Sequence, residues 1–166
     1  MWGKVSGMKS IDSAVGREIG QTKPFRTRGQ EAVIGLLRTA DVVRGAAAAL
    51  VEPHGVTLQQ YNVLRILRGA GPEGLPTLAI AERMIERAPG VTRLIDRLEA
   101  RGLVVRERGE EDRRQVLCRI APAGRKLLAG MDEAVDGSDA GAMTGLSAAE
   151  QKRLIRLMDK VRAGLK

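Results

Sequence analysis

The chain has one cysteine, one histidine and one each of tryptophan, tyrosine and phenylalanine in 166 residues. Cys118 alone rules out an internal disulfide framework and any Cys-x-x-Cys site, as expected of a chain working in a reducing compartment. His54 alone excludes a histidine-rich metal centre and a catalytic dyad built on several histidines. Aromatics at 2% argue against a single-strand binder, which stacks bases on aromatic side chains. No apolar run approaches the roughly 20 residues of a membrane span. The nearest, residues 42–51, carries Arg44. The lysines near the N-terminus have no apolar stretch behind them, so neither a secretory signal nor a membrane association is expected, and the protein reads as cytoplasmic.

Catalytic signatures are missing as well. There is no G-x-S-x-G and no G-x-x-x-x-G-K-[ST]. GAGPEG at 69–74 fits G-x-G-x-x-G, but a dinucleotide site needs a strand before its glycines, and the preceding LQQYNVLRILR is helix-patterned. Pro72 suits a turn, so this is read as an interhelical loop. No enzyme activity, metal or cofactor is expected. Cys118 reads as a small buried apolar group, Tyr61 as core with its hydroxyl at the edge, and His54 as a cap on the end of a helix.

What the chain does have is positive charge, unevenly placed. The net charge is +8, a bias towards polyanionic partners. Residues 83–126 hold 12 basic and 7 acidic side chains, and residues 1–28 hold 6 and 2; the remaining segments are close to balanced. Residues 88–120 organise the rest. They run APGVTRLIDRLEARG, LVVRER, GEEDRR and QVLCRI. Val91, Leu94, Ile95 and Leu98 recur at helical spacing and predict a buried face. Arg93, Arg97 and Arg101 fall at i, i+4 and i+8 on a different face. Gly102 supplies a left-handed stop. Residues 103–106 then read as a strand, 109–114 as a charged loop, and Val116, Cys118 and Ile120 alternate along a second strand. A basic helix followed by a ribbon with an arginine-bearing tip suits duplex DNA: the helix matches the major groove and the tip can enter the minor groove.

Around this centre the chain reads as helices. Residues 1–29 are a basic arm in which Ser10 caps a short amphipathic helix carrying Ile11, Val15 and Ile19, weakened by Gly16 and Gly20 and ended by Pro24. Residues 30–51 form a long helix apolar on more than one side, as if buried between its own core and a second subunit. Pro53-His54-Gly55 closes it, and Thr57 caps a helix with Leu58, Tyr61, Leu64 and Leu67. Pro76 begins another, carrying Leu78, Ala81 and Ile85. After a short turn at 86–88, Pro89 opens the arginine-faced helix, so the pair makes a helix-turn-helix. Pro122 starts a helix with Leu127, Leu128, Met131 and Val135; the Gly/Ser/Ala-rich residues 137–145 read as a flexible connection; and Ser147 with Glu150 forms a capping box for a last helix. The fold class is mostly α with a small antiparallel β-ribbon (α+β).

An ordinary solvated face accounts for the helix arginines if Asp96 and Glu99 pair with Arg93 and Arg97. It does not account for Asp112-Arg113-Arg114 at a loop tip. Glu110 and Glu111 beside that tip are awkward for phosphate contact, unless Asp112 orients an arginine while the glutamates point away.

On these residues the chain resembles the MarR family of bacterial winged-helix repressors over residues 30–166, most specifically in VTRLIDRLEARGLVVRERGEEDRRQVLCRIAPAGRKLL, 91–128. The resemblance implies a winged helix-turn-helix lobe at 56–121, dimerisation helices at 30–55 and 122–166, and a homodimer bound to double-stranded DNA. It also implies that Arg93 pairs with Asp112 and that Arg114 enters the minor groove. The usual small polar residues before Val91 are here Arg87, Ala88, Pro89 and Gly90, which moves base reading towards Arg87, Thr92, Arg93 and Arg97, with Asp112, Arg113 and Arg114 at the wing. Family members are released from DNA by small phenolic or anionic effectors, and nothing in the sequence identifies one here. The expected function is a sequence-specific repressor of a pseudo-palindromic operator. The alternatives are a sequence-neutral nucleic-acid-binding or architectural protein, and a module that binds an acidic protein.

Overall fold

The computed structural model describes residues 13–86, 90–108 and 116–165. The chain divides into two units, Met1–Gly45 and Ala46–Lys166, which are taken separately.

In the first, the short helix α1 (Ala14–Glu18) is capped by Ser13, whose hydroxyl accepts from the Gly16 N–H at 3.2 Å. The expected cap, Ser10, lies outside the described residues. Helix α2 (Arg28–Val51) starts two residues before the expected position. Its Arg38 pairs with Glu18 and Asp41, each at 3.4 Å. Val33, Leu36, Leu37, Val42 and Val43 all stay exposed on it.

The second unit holds the core. A 3-10 turn, Glu52–His54, ends at Gly55 and leads to α3 (Leu58–Ala70). A full capping box starts α3: the Thr57 hydroxyl accepts from the Gln60 N–H, and the Gln60 amide oxygen accepts from the Thr57 N–H. Tyr61, Leu64 and Leu67 are buried as expected. Of the expected 69–74 loop, Gly69 and Ala70 still belong to α3. Residues 71–74 make the connection, with a 3-10 turn at Gly71–Glu73, and run into a two-residue strand, β1 (Leu75–Pro76), which periodicity had no means to announce. Then come α4 (Thr77–Arg83), α5 (Val91–Ala100), β2 (Val104–Arg108), β3 (Val116–Ile120), α6 (Pro122–Ala129), α7 (Asp132–Ala142) and α8 (Ala148–Ala163). The sheet is antiparallel in the order β1-β3-β2, with Val104 opposite Ile120 and Arg106 opposite Cys118.

Two expectations are corrected. Ile80 on α4 and Met84 just past it are buried and Ala81 packs half-buried against the core, while Leu78 is 72% and Ile85, also beyond the helix, 85% exposed. Residues 77–85 carry two apolar stripes, and spacing alone does not say which one meets the core. The supposed flexible connection is helical as far as Ala142, with α7 starting anew after a break at Gly130–Met131. Alanine's high helix propensity, and acidic Asp132 and Glu133 in the first turn, offset the cost of the glycines.

Arg68 of α3 makes a two-pronged ion pair with Asp132, at 2.8 and 3.0 Å. The hydrogen bond from Arg68, helped by the fields of Arg68 and Arg65 and opposed by burial, holds the Asp132 carboxyl below the usual aspartate range. Because the folded value is depressed, the stabilisation is complete above the unfolded pKa of about 3.9 and is lost as pH falls through the folded value. The pair is partly solvent-screened, so Asp132→Asn is expected to lower stability at neutral pH by no more than about 1 kcal/mol. That difference should vanish in urea melts taken below the aspartate range.

Candidate nucleic-acid interface

Helix α5 is amphipathic for a simple reason: Val91, Ile95 and Leu98 are buried, Leu94 is half-buried, and Thr92, Arg93 and Arg97 stand exposed. Gly90, left-handed at φ +94°, caps its start, and Gly102, at φ +65°, ends it. There the Gly102 N–H donates to the Glu99 carbonyl at 2.8 Å and the Leu103 N–H to the Leu98 carbonyl at 2.9 Å, a closure that needs the left-handed backbone glycine tolerates. The chain then enters β2 directly, which sets the ribbon beside α5.

Three of the seven expected contact residues, Thr92, Arg93 and Arg97, are therefore exposed on one helix, Arg93 and Arg97 together on its open side and Thr92 on the adjoining edge. Arg87, Asp112, Arg113 and Arg114 lie outside the described residues, and with them the expected Arg93–Asp112 pair. Arg101 leaves the series: its guanidinium donates to the Gly55 carbonyl, tying the end of α5 to the turn after α2.

The carboxylates of α5 do not serve its own arginines. Arg106, projecting from β2, donates to Glu99 at 2.8 Å, to Asp96 at 2.6 Å and, weakly, to the Thr92 carbonyl at 3.4 Å. Burial works against the Arg106 charge, but the hydrogen bond to Asp96 and the fields of Glu99 and Asp96 outweigh it and raise the pKa above the ordinary arginine value. Among the described residues neither Arg93 nor Arg97 has an ion-pair partner. Arg106 is the residue sequence reasoning missed. Its signal was available in alternation: it shares the inward parity of buried Val104, where a charge needs a partner. On the other face of the ribbon, Arg119 pairs with Glu107 and reaches the Glu73 carbonyl at 3.4 Å, fastening the wing base to the 71–73 turn.

A helix-turn-helix whose second helix exposes two arginines, followed by a β-wing, defines a winged-helix protein of the DNA-binding class. Comparison with known proteins narrows the class. The MarR family model matches residues 54–115. The MarR transcription factor from Planctomyces limnophilus is 43% identical, over 81% of this chain and 98% of that one, with a TM-score of 0.62. The HTH-type transcriptional regulator TtmR from Methylorubrum extorquens (strain PA1) is 31% identical over 147 residues, 89% of this chain and 71% of the relative. CouR from Rhodococcus jostii RHA1, solved with p-coumaroyl-CoA bound, is 26% identical over 82% of this chain and 95% of that one, with a TM-score of 0.71. The chain belongs to the MarR family of transcriptional regulators. It is a transcriptional regulator and not an enzyme. Among the described residues no helix is long and apolar enough to cross a membrane.

Proposed function

We propose that the chain acts in the cytoplasm as a dimeric repressor of a pseudo-palindromic operator. The observation that carries this is the open side of α5, where Arg93 and Arg97 have no ion-pair partner among the described residues and stand above a buried apolar face, with exposed Thr92 on the neighbouring edge. In each subunit α5 enters the major groove, the two half-sites lying about 10–10.5 bp apart. Arg87, Thr92, Arg93 and Arg97 contact bases and backbone. Asp112 orients the wing, with Arg113 and Arg114 at its tip and Arg114 in the minor groove. Phosphate contacts supply salt-sensitive affinity, and base contacts with groove shape supply selectivity.

Residues 30–55 and 122–166 supply the dimer contacts. Support comes from the exposed apolar side chains of α2 and, separately, from Ile155, Leu157 and Val161 exposed on α8, more than a solvated helix face requires. A phenolic or anionic small molecule releases the operator by preferring a spacing of the two reading helices that misfits it. The p-coumaroyl-CoA bound by CouR, a phenolic and anionic compound, fits that class.

Sequence selection from a random duplex pool, repeated with candidate effectors, tests the proposal. A repressor should discriminate its selected duplex from random duplex by ~10³ or more; equal binding to both favours a sequence-neutral architectural role. Arg114→Ala should weaken binding and relax selectivity for narrow-groove flanks while leaving the dimer intact, as read by gel shift and by sedimentation. Unchanged binding removes the wing assignment.

A further inference from the structure

Helix α5 has no net charge of its own. Between Val91 and Ala100, Arg93 and Arg97 are matched by Asp96 and Glu99. A helix meant to approach a polyanion gains nothing from such a sum, and Asp96, three residues after Arg93, is placed to compete with phosphate for it. At about 100° per residue the side chains fall into three sectors. Val91, Leu94, Ile95 and Leu98 face the core; Thr92, Asp96 and Glu99 line a second edge; Arg93 and Arg97 occupy the third. The second edge is where β2 delivers Arg106. Its side chain is only 23% exposed, and its guanidinium is engaged by both carboxylates and the Thr92 carbonyl. It is thus committed to α5 and poorly placed to touch a phosphate itself.

We propose that Arg106 is a positioning residue for DNA binding. From the wing it draws Asp96 and Glu99 to one edge of α5, which leaves Arg93 and Arg97 free for the duplex and fixes the ribbon against the helix. The arginine fork matters because one planar group must serve two carboxylates at once. Removing it releases two uncompensated negative charges beside the basic sector. Asp96 then pairs with Arg93, and both carboxylates repel the phosphates. The inference rests on α5 being the helix that meets DNA.

The test uses the full chain, a fluorescent random-sequence duplex of about 30 bp, long enough for two half-sites, and a salt series. The parental chain, Arg106→Gln, the pair Asp96→Asn with Glu99→Gln, and the triple variant are titrated, each with its melting midpoint measured. Arg106→Gln is expected to bind about tenfold more weakly, and its salt slope to flatten by about 0.9 for each phosphate no longer neutralised. Neutralising the two acids should help the parental chain little but return the Arg106→Gln chain to parental affinity and slope, a coupling that a purely structural role does not produce. Equal gains in both backgrounds overturn the proposal, because Arg106 then touches phosphate or only holds the fold. Parental binding by Arg106→Gln also overturns it. If Arg106→Gln does not fold, Arg106→Lys, which keeps the charge and removes the fork, is read in the same way. A parental chain that binds neither this duplex nor any duplex selected from the random pool overturns the proposed function, and this inference with it.

Discussion

Replacing Arg93 and Arg97 with alanine is expected to remove most of the affinity for a selected duplex while leaving the fold unchanged. Each side chain costs about 1–3 kcal/mol if it contacts a base, a loss of roughly 5- to 150-fold apiece. Neither has an ion-pair partner among the described residues and both are exposed, so stability should stay within about 0.5 kcal/mol of the parent. Gel-shift titration of each single variant against every base substitution in the selected site separates the two roles. A base contact relaxes selectivity at one position; a phosphate contact weakens all sequences alike and lowers the salt slope by about one. Full affinity in the double variant would remove α5 from the interface, whatever the wing does.

Gly124→Ala is expected to be among the most destabilising single-methyl changes available in this chain. A Cβ at Gly124 would lie 2.3 Å from the Leu103 carbonyl oxygen and 2.9 Å from Ile120. That carbonyl already accepts from the Ala121 N–H at 3.0 Å, so backbone on both sides is fixed and the methyl has nowhere to go. Overpacking of this kind costs roughly 1–3 kcal/mol, and relief by separating α6 from the start of β2 would disturb the ribbon as well. The control is Gly137→Ala on α7, where an added Cβ meets nothing within 4 Å. There the same substitution should stabilise by roughly 0.5–1 kcal/mol through helix propensity alone. Urea melts of the two variants should move in opposite directions; a shared direction would contradict the packing at Gly124.

These contrasts mark where sequence suffices and where it stops. The buried face of α5, the closure at Gly102 and the caps at Thr57 and Ser147 were legible because each follows from local chemistry: spacing, a left-handed backbone, a hydroxyl three residues before an amide or carboxylate. The buried stripe of α4 was not legible, since the choice between Ile80/Met84 and Leu78/Ile85 is made by the neighbours, not by the helix. The same holds for β1, two residues long and defined wholly by its pairing with β3. The candidate site divides along the same line. Exposed arginines on α5 could be read from i, i+4 spacing, but their lack of ion-pair partners among the described residues could not. Arg106, seven and ten residues further on in the ribbon, holds Glu99 and Asp96 instead. Arg101 fits the i+8 position of the series and yet serves Gly55, because helical spacing fixes a direction and not a partner.

Cys118 is fully buried opposite Arg106, forms no disulfide, and its thiol lies 3.9 Å from the Thr77 hydroxyl at the start of α4. The molecule therefore carries a built-in clock for transient opening. An alkylating reagent can reach that sulfur only when the packing around β3 opens, so the labelling rate counts those excursions without any engineered probe. Slower labelling on duplex DNA would mean that the bound state clamps this packing shut.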